Sequence, residues 1–167
     1  MRELTENKRY ILFAVIGVLI LFFIYSNFLA TEEVKLYFSG PQAQYLVPEQ
    51  RQVSVNNLAY NVVKELVKGP NQESLGVTIP PQTKLLKVEV EDKLAKVNFS
   101  KELVDNHWGG STGEMMTVYS IVNTLTSLSN IEQVKILVSG NELQTLAGHL
   151  ELRDPLKFNK RLIESKE

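Results

Sequence analysis

An uninterrupted apolar run near the start of the chain, Tyr10 to Ala30 (YILFAVIGVLILFFIYSNFLA), constrains the fold more than any other feature. As a helix rising about 1.5 Å per residue, it spans roughly 30 Å, the thickness of a bilayer hydrocarbon core. No face of this helix is polar, so the pattern predicts a transmembrane helix and not a helix of a soluble core. Basic residues precede the run and two glutamates follow it, at positions 2, 8, 9, 32 and 33. The positive-inside rule then places the N-terminus in the cytoplasm and the rest of the chain outside the membrane.

The same run has a second interpretation, a signal peptide that is cleaved after Ala30. Cleavage prefers small residues at the last and third-last positions of the signal; Ala30 fits this preference, but Phe28 is too large. The run is also longer than the apolar region of a usual signal peptide. We therefore predict a retained signal anchor. The predicted organisation is a cytoplasmic N-terminus at 1–9, a transmembrane anchor at 10–30, an extracytoplasmic domain at 31–153 and a loose C-terminal tail at 154–167.

The pattern after the anchor predicts one α+β domain. Strands are expected from Val34, in two short pieces around Pro48, in a hairpin at 88–99, at VKILVSG and near residues 149–152. Helices are expected at 58–67, capped by Asn56 or Asn57, and at 111–128, where apolar residues recur at three-to-four spacing. We predict a mixed or antiparallel sheet with the two helices packed on one face.

Composition excludes several classes of function. The chain has no cysteine, which rules out disulfides, thiolate metal sites, cysteine nucleophiles and a lipid-bearing lipoprotein anchor. With only two histidines as well, a structural zinc site is not expected, and we predict neither a metal nor a cofactor. The formal net charge of -1, without a concentrated basic face, predicts no nucleic-acid partner.

The stretch HWGGSTGEMM at 107–116 offers two interpretations of Ser111. Gly109, Ser111 and Gly113 satisfy G-x-S-x-G, the nucleophile pattern of serine hydrolases. That pattern needs a strand ending at the serine, whereas the preceding strand candidate ends about ten residues earlier. Ser111 and Glu114 also form S-x-x-E before an apolar helix, which is a capping box. We predict that Ser111 caps a helix and is not catalytic.

Three aromatic or imidazole side chains have predicted structural roles. Trp108 is expected to anchor its loop to the core, with an aromatic surface patch of His107 and Trp108 as the alternative. His149 is expected at a strand edge with its ring satisfied.

Further along the second helix, Met115 and Met116 are expected to line the core. Asn123 and Thr124 are polar positions in an otherwise apolar helix, and Asn123 is expected to bond to a loop backbone.

Five stretches follow one another along the chain and cover nearly all of residues 34–153: YLVPEQR, LVKGP, IPPQTKLLKVEVEDKLAKVNFS, GGSTGEMMTVYSIVNTLTSL and VKILVSGNELQTLAGHLEL. In this order they resemble the GerM domain family, which takes its name from bacterial sporulation and spore germination. The resemblance implies an extracytoplasmic bacterial domain, carried on a lipoprotein or a membrane anchor, with a structural role in the cell envelope. It implies no catalytic residues. This sequence departs from the pattern because it lacks the lipid-bearing cysteine and contains one copy of the domain instead of a tandem pair.

These observations predict a membrane-anchored, non-catalytic domain in the cell membrane that binds partners or supports assembly in the bacterial envelope. The expected partners are envelope or sporulation proteins, with peptidoglycan as a further candidate. Two alternatives remain open: a sensor of small ligands or cell-wall glycans, and a serine hydrolase that uses Ser111 and His149.

Overall fold

A computed structural model describes residues 8, 10–20 and 30–163 of the chain. The domain is of mixed α and β structure and contains two sheets. The first sheet is formed by β1 (Thr31–Ser39) and β2 (Leu46–Ser54). The second has the order β3-β4-β5-β6, formed by Leu85–Glu91, Leu94–Phe99, Gln133–Val138 and Asn141–Glu142. The helices are α1 (Leu58–Lys68), the short α2 (Glu102–Asp105) and α3 (Ser111–Thr126), with 3-10 turns at Pro41–Ala43 and Lys160–Leu162.

The first sheet is a long antiparallel hairpin in which β2 runs straight through Pro48, where the sequence predicted two separate pieces. Pro48 lies opposite Tyr37 in the register. The backbone N–H of Tyr37 donates to the hydroxyl of Thr124 on α3 (3.0 Å), so it points away from β2. The two residues therefore form a pair without cross-strand hydrogen bonds, and the N–H that proline lacks is not needed there.

The second sheet combines a tight hairpin with a parallel crossover. The turn between β3 and β4 has positive φ at Asp92 (47°) and Lys93 (64°), as a two-residue hairpin loop with the twist of its strands requires. From β4 the chain passes through α2 and α3 and returns as β5, which is parallel to β4. The predicted hairpin and the predicted strand at VKILVSG are thus confirmed.

The two long helices pack on each other and touch both sheets. Helix α1 begins after Asn57, as expected, but the Asn57 side chain makes no capping hydrogen bond. It ends at Lys68, where Gly69 adopts a φ of 91° that favours glycine. The main core lies between the helices and the sheets, and its most deeply buried large side chains include Leu36, Phe38, Leu66, Phe99, Leu103, Ile121 and Leu125.

Three expectations about the architecture need correction. The strands form two sheets and not one, because β1 and β2 form a two-stranded sheet that is separate from the sheet of β3 to β6. Residues 149–152 are not a strand. The predicted loose tail is held to the domain between Asp154 and Ile163. Leu156 pairs with Val134, and Ile163 pairs with Leu46.

Part of the predicted anchor, residues 21–29, lies outside the described residues. Residues 10–20 are helical, and their large apolar side chains are exposed. Within the described part of the chain, no helix has both the length and the apolar character needed to cross a bilayer. The domain boundaries at 9, 30 and 153 stay predictions.

Candidate functional site

The start of α3 is built differently from the predicted capping box. The residue before the helix is Gly110, with φ of 74°, and the Ser111 side chain makes no capping hydrogen bond. Gly109 also has a positive φ (76°), so the chain turns into the helix through two glycines in the left-handed region. The helix begins at Ser111 as predicted, but the capping role of Ser111 and Glu114 is wrong.

Glu114 instead turns inward and is fully buried. One carboxylate oxygen, Oε1, accepts hydrogen bonds from the backbone N–H groups of Leu146 (2.7 Å) and Ala147 (2.8 Å). The other, Oε2, accepts from the N–H of His149 (2.7 Å). Burial raises the pKa of this carboxyl, but the backbone hydrogen bonds lower it by more, so the net pKa lies below its ordinary value. Glu114 therefore holds the loop at 146–149 against the first turn of α3.

His107 links the glycine loop to the neighbouring chain segments. Its Nδ1 accepts from the N–H of Gly109 (3.0 Å), so the proton of the neutral ring lies on Nε2, which donates to the hydroxyl of Thr117 (3.2 Å). That hydroxyl donates in turn to the carbonyl of Thr78 (2.7 Å). Burial lowers the pKa of His107, and the nearby Glu114 carboxylate offsets only part of this effect. Both ring nitrogens thus have structural hydrogen bonds.

Trp108 does not anchor the loop to the core, contrary to the sequence prediction. Its side chain is 53% exposed. It lies beside His107, with ring centroids 5.9 Å apart and planes tilted by 57°. The alternative interpretation, an aromatic surface patch formed by these two residues, agrees with the structure.

The geometry around Ser111 does not form a catalytic triad. Ser111 is exposed at the start of α3, and His107 has both ring nitrogens engaged with Gly109 and Thr117. Among the described residues, the Ser111 hydroxyl has no hydrogen bond to either histidine. The His149 backbone is held by Glu114 in an irregular loop, so its predicted place at a strand edge is wrong.

The polar positions within α3 hold the rest of the domain together. Asn123 is fully buried and makes two hydrogen bonds with the backbone of Asn159, donating through Nδ2 (3.1 Å) and accepting at Oδ1 (2.8 Å). This confirms the predicted bond to a loop backbone. Thr124 accepts from Tyr37, as described above, and Met116 is buried in a small cluster with Tyr37. Met115 is only partly buried.

A second buried carboxylate was not predicted from the sequence. Glu49 on β2 is 3% exposed and forms an ion pair with Arg51. Its Oε2 accepts from the backbone N–H groups of Asn71 (2.9 Å) and Gln72 (3.1 Å). Arg51 also donates to the carbonyl of Gly69 (3.1 Å). This cluster fixes the segment that follows α1.

Both buried glutamates had a signal in the sequence. Glu114 is in phase with Val118 and Ile121 on the apolar face of its helix. Glu49 alternates in phase with Val47 and Val53 along β2. A carboxylate at a core-facing position predicts a buried, hydrogen-bonded group, although its partners lie far away in the sequence.

Neither buried glutamate lies in a cluster of metal ligands. No group of three or more acidic or histidine side chains among the described residues could hold a metal ion. A cavity of about 310 Å³ opens beside the start of β1, lined by Glu32, Glu33, Lys35, Tyr37 and Phe158 among others.

Comparison with known proteins decides the family. The family described as Germane, sporulation and spore germination, matches residues 35–144. This chain belongs to the Germane family. The resemblance noted in the sequence is thereby confirmed, and the family description names no reaction. A comparison with curated proteins gives no match.

Three solved structures are similar to this member of the Germane family. The tandem GerMN domains of the sporulation protein GerM from Bacillus subtilis match with a TM-score of 0.65 and 23% identity, over 77% of this chain and 46% of that one. The first GerMN domain of the same protein matches with a TM-score of 0.61 and 19% identity, over 79% of this chain and 98% of that domain. A Clostridium perfringens protein described as a lipoprotein matches with a TM-score of 0.55 and 29% identity, over 77% of this chain and 88% of that one. The chain therefore spans less than half of the tandem structure and nearly all of the single domain.

Proposed function

We propose that this protein is a membrane-anchored, non-catalytic Germane domain that binds partners or supports assembly in the bacterial cell envelope, in sporulation or spore germination. The observation that carries the proposal is the family match over residues 35–144. Similarity to a protein described as a lipoprotein supports an extracytoplasmic, membrane-associated domain. This chain has no cysteine to carry a lipid, so we propose the apolar residues 10–30 as its membrane attachment.

The exposed apolar helix at residues 10–20 supports the anchor. Tyr10, Phe13 and Val18 are each more than 60% exposed. Transfer of such side chains from water into hydrocarbon is favourable by about 25 cal/mol per Å² of apolar surface. A bilayer would cover them, and it would leave the domain from Thr31 onward outside.

The absence of cysteine allows a direct test of this topology. Single-cysteine variants Thr5→Cys and Ser74→Cys place one thiol on each side of the predicted membrane, and the parent chain gives no background. We expect a membrane-impermeant maleimide to label Ser74→Cys in intact cells, and to label Thr5→Cys only after permeabilisation. The reverse pattern would disprove the orientation, and a mature chain starting at residue 31 would show cleavage instead of anchoring.

The role itself is tested by complementation in a host that lacks the gene. We expect the full chain to restore sporulation or germination, and residues 31–167 exported behind a cleavable signal peptide to fail, because the anchor holds the domain at a high local concentration on the membrane. Equal rescue by the released domain would contradict the role of the anchor.

The non-catalytic assignment has its own test. We expect Ser111→Ala to complement as well as the parent, and a serine-directed fluorophosphonate to leave the purified full chain unlabelled. Stoichiometric labelling that Ser111→Ala abolishes would establish the serine hydrolase alternative.

A further inference from the structure

We propose that the end of the domain that carries Trp108 binds an uncharged chain of N-acetylated amino sugars, with the Trp108 ring as a stacking surface. This proposal rests on the envelope location proposed above, where such glycans occur, and it names the class of partner.

The direction of α3 defines this end of the molecule. The C-terminal part of α3 lies beside the first half of β1, since the Ser127 hydroxyl donates to the carbonyl of Lys35 (3.4 Å). The contact between Thr124 and Tyr37 continues this antiparallel arrangement, so the start of α3 extends past the end of β1. The end of β1 is where Ser39 pairs with Gly76.

Four loop segments meet around the start of α3, and we call them the neutral end: 40–45, 76–83, 106–113 and 143–150. The 3-10 turn in the first segment contacts α3. The second and third are joined by Thr117, as described above, and by a hydrogen bond from Asn106 Nδ2 to the carbonyl of Pro81 (2.8 Å). The fourth is held by Glu114.

The four segments of the neutral end differ in composition from the rest of the surface. None of its four segments contains Asp, Glu, Lys or Arg, and they are rich in Gln, Asn, Ser and Thr. The lowered pKa of His107 keeps its imidazole uncharged near neutral pH. In contrast, seven of the thirteen residues in 84–96 are charged. Amide and hydroxyl groups both donate and accept hydrogen bonds, as a sugar with hydroxyl and acetamido groups requires, and the four segments themselves supply no carboxylate, lysine or arginine to pair with a charged ligand.

Trp108 provides the apolar part of the surface. Apart from the neighbouring residues in the chain, no atom lies within 4 Å of the positions that a Cβ would take at Gly109 and Gly110, so the rest of the molecule leaves the loop after Trp108 uncovered there. The hydrogen bond between Gly109 and His107 holds the loop in place. One face of a sugar ring carries C–H groups, and these pack against the π face of an indole.

The small apolar area favours a sugar over a protein partner. Among the described residues, Val77 (58%) is the one other exposed large apolar side chain in the neutral-end segments. Protein interfaces usually cover a contiguous core of several apolar and aromatic residues, which this end lacks. A single stacking ring surrounded by uncharged hydrogen-bonding groups is suited to a polysaccharide chain.

The protein carries its own reporter for a binding test, because Trp108 is its only tryptophan. The full chain in lipid nanodiscs is titrated with the hexamer of N-acetylglucosamine and followed by tryptophan fluorescence and calorimetry. We expect a saturable change in fluorescence with this sugar, and affinities at least about tenfold weaker, a difference of about 1.4 kcal/mol, for the cationic glucosamine hexamer and the anionic galacturonic acid hexamer. Equal binding of all three, or no heat and no spectral change at millimolar sugar, would overturn the proposal.

Two variants assign the binding to this surface. Trp108→Ala is expected to weaken the affinity in calorimetry by about tenfold or more. Leu86→Ala removes a similarly exposed apolar side chain (48%) from the charged segment and is expected to bind as the parent does. Undiminished binding by Trp108→Ala, with an unchanged circular dichroism melt, would also refute the proposal. The nanodisc titration does not depend on cellular topology, so failure of the cysteine labelling and failure of sugar binding are separate outcomes.

Discussion

Glu49 and Glu114 are two buried carboxylates that do the same structural work with different partners. Each holds a distant loop by accepting hydrogen bonds from its backbone N–H groups. Glu49 also has Arg51 as a counter-ion. For Glu114, no ion pair occurs within the described residues, and backbone groups alone compensate its burial.

The difference shows that a buried carboxylate does not need a cation if enough N–H groups converge on it. A lone buried charge is costly, yet the hydrogen bonds from one loop hold the pKa of Glu114 below its ordinary value. The consequence is that Glu114 and its loop depend on each other directly. In the Glu49 cluster, Arg51 shares the work through its bonds to Glu49 and Gly69.

The largest expected effect is at Glu114. Replacing Glu114 with Ala leaves three backbone N–H groups without an acceptor and empties a buried site, so we expect a loss of about 3–5 kcal/mol in the free energy of unfolding. Urea unfolding of the full chain in detergent, followed by far-ultraviolet circular dichroism, measures it. The control Glu73→Ala changes an exposed glutamate and is expected to stay within about 0.5 kcal/mol of the parent. A loss below about 1 kcal/mol at Glu114 would mean that the loop finds other partners.

A smaller effect is expected when the Glu49 cluster loses its cation. Arg51→Met leaves Glu49 buried with two N–H donors, and we expect a loss of about 2–3 kcal/mol in the same measurement. The double variant Glu49→Gln with Arg51→Met removes the unpaired charge and is expected to be more stable than Arg51→Met alone. The single variant Glu49→Gln completes the cycle. If the stability loss of the double variant equals the sum of the losses of Glu49→Gln and Arg51→Met, the two side chains are not coupled and the comparison fails.

The smallest effect is the dependence of stability on pH. Burial raises the pKa of both glutamates, but Arg51 and backbone N–H groups lower it at Glu49, and backbone N–H groups lower it at Glu114. Because both folded-state pKa values lie below the ordinary 4.5, their contribution is complete above pH 4.5 and is lost as pH falls through the folded pKa. His107 has a folded pKa below the ordinary 6.5, so its contribution is likewise complete above pH 6.5 and is lost as pH falls.

The pH profile separates the groups if unfolding is measured between pH 7.5 and 3.5. We expect His107→Gln to remove the part of the slope that begins below pH 6.5. Glu114→Gln is expected to reduce the slope below pH 4.5 and to leave the upper part in place. A profile that is flat from pH 7.5 to 3.5 in the parent would contradict the lowered pKa values.

Local sequence patterns determined much of the fold. The spacing of apolar residues predicted α1 and α3. The strand pattern at 88–99 predicted the hairpin. These features depend on interactions within a few residues, so they can be recognised from a short window of sequence.

The tertiary structure decided the rest, because the deciding partners are far apart in the chain. The carboxylate of Glu114 could cap its own helix or accept from a loop 32 or more residues away, and the buried loop offered more N–H groups. Pro48 stays inside a strand because the register of β1 and β2 pairs it with Tyr37, whose N–H points away from β2 to Thr124. Trp108 is exposed, whereas the adjacent His107 turns inward to reach Thr117. The sequence alone indicated the approximate positions of the two long helices and of the hairpin, whereas only the packed fold determined which polar groups meet in the interior, because burial and hydrogen-bond partners depend on the whole chain.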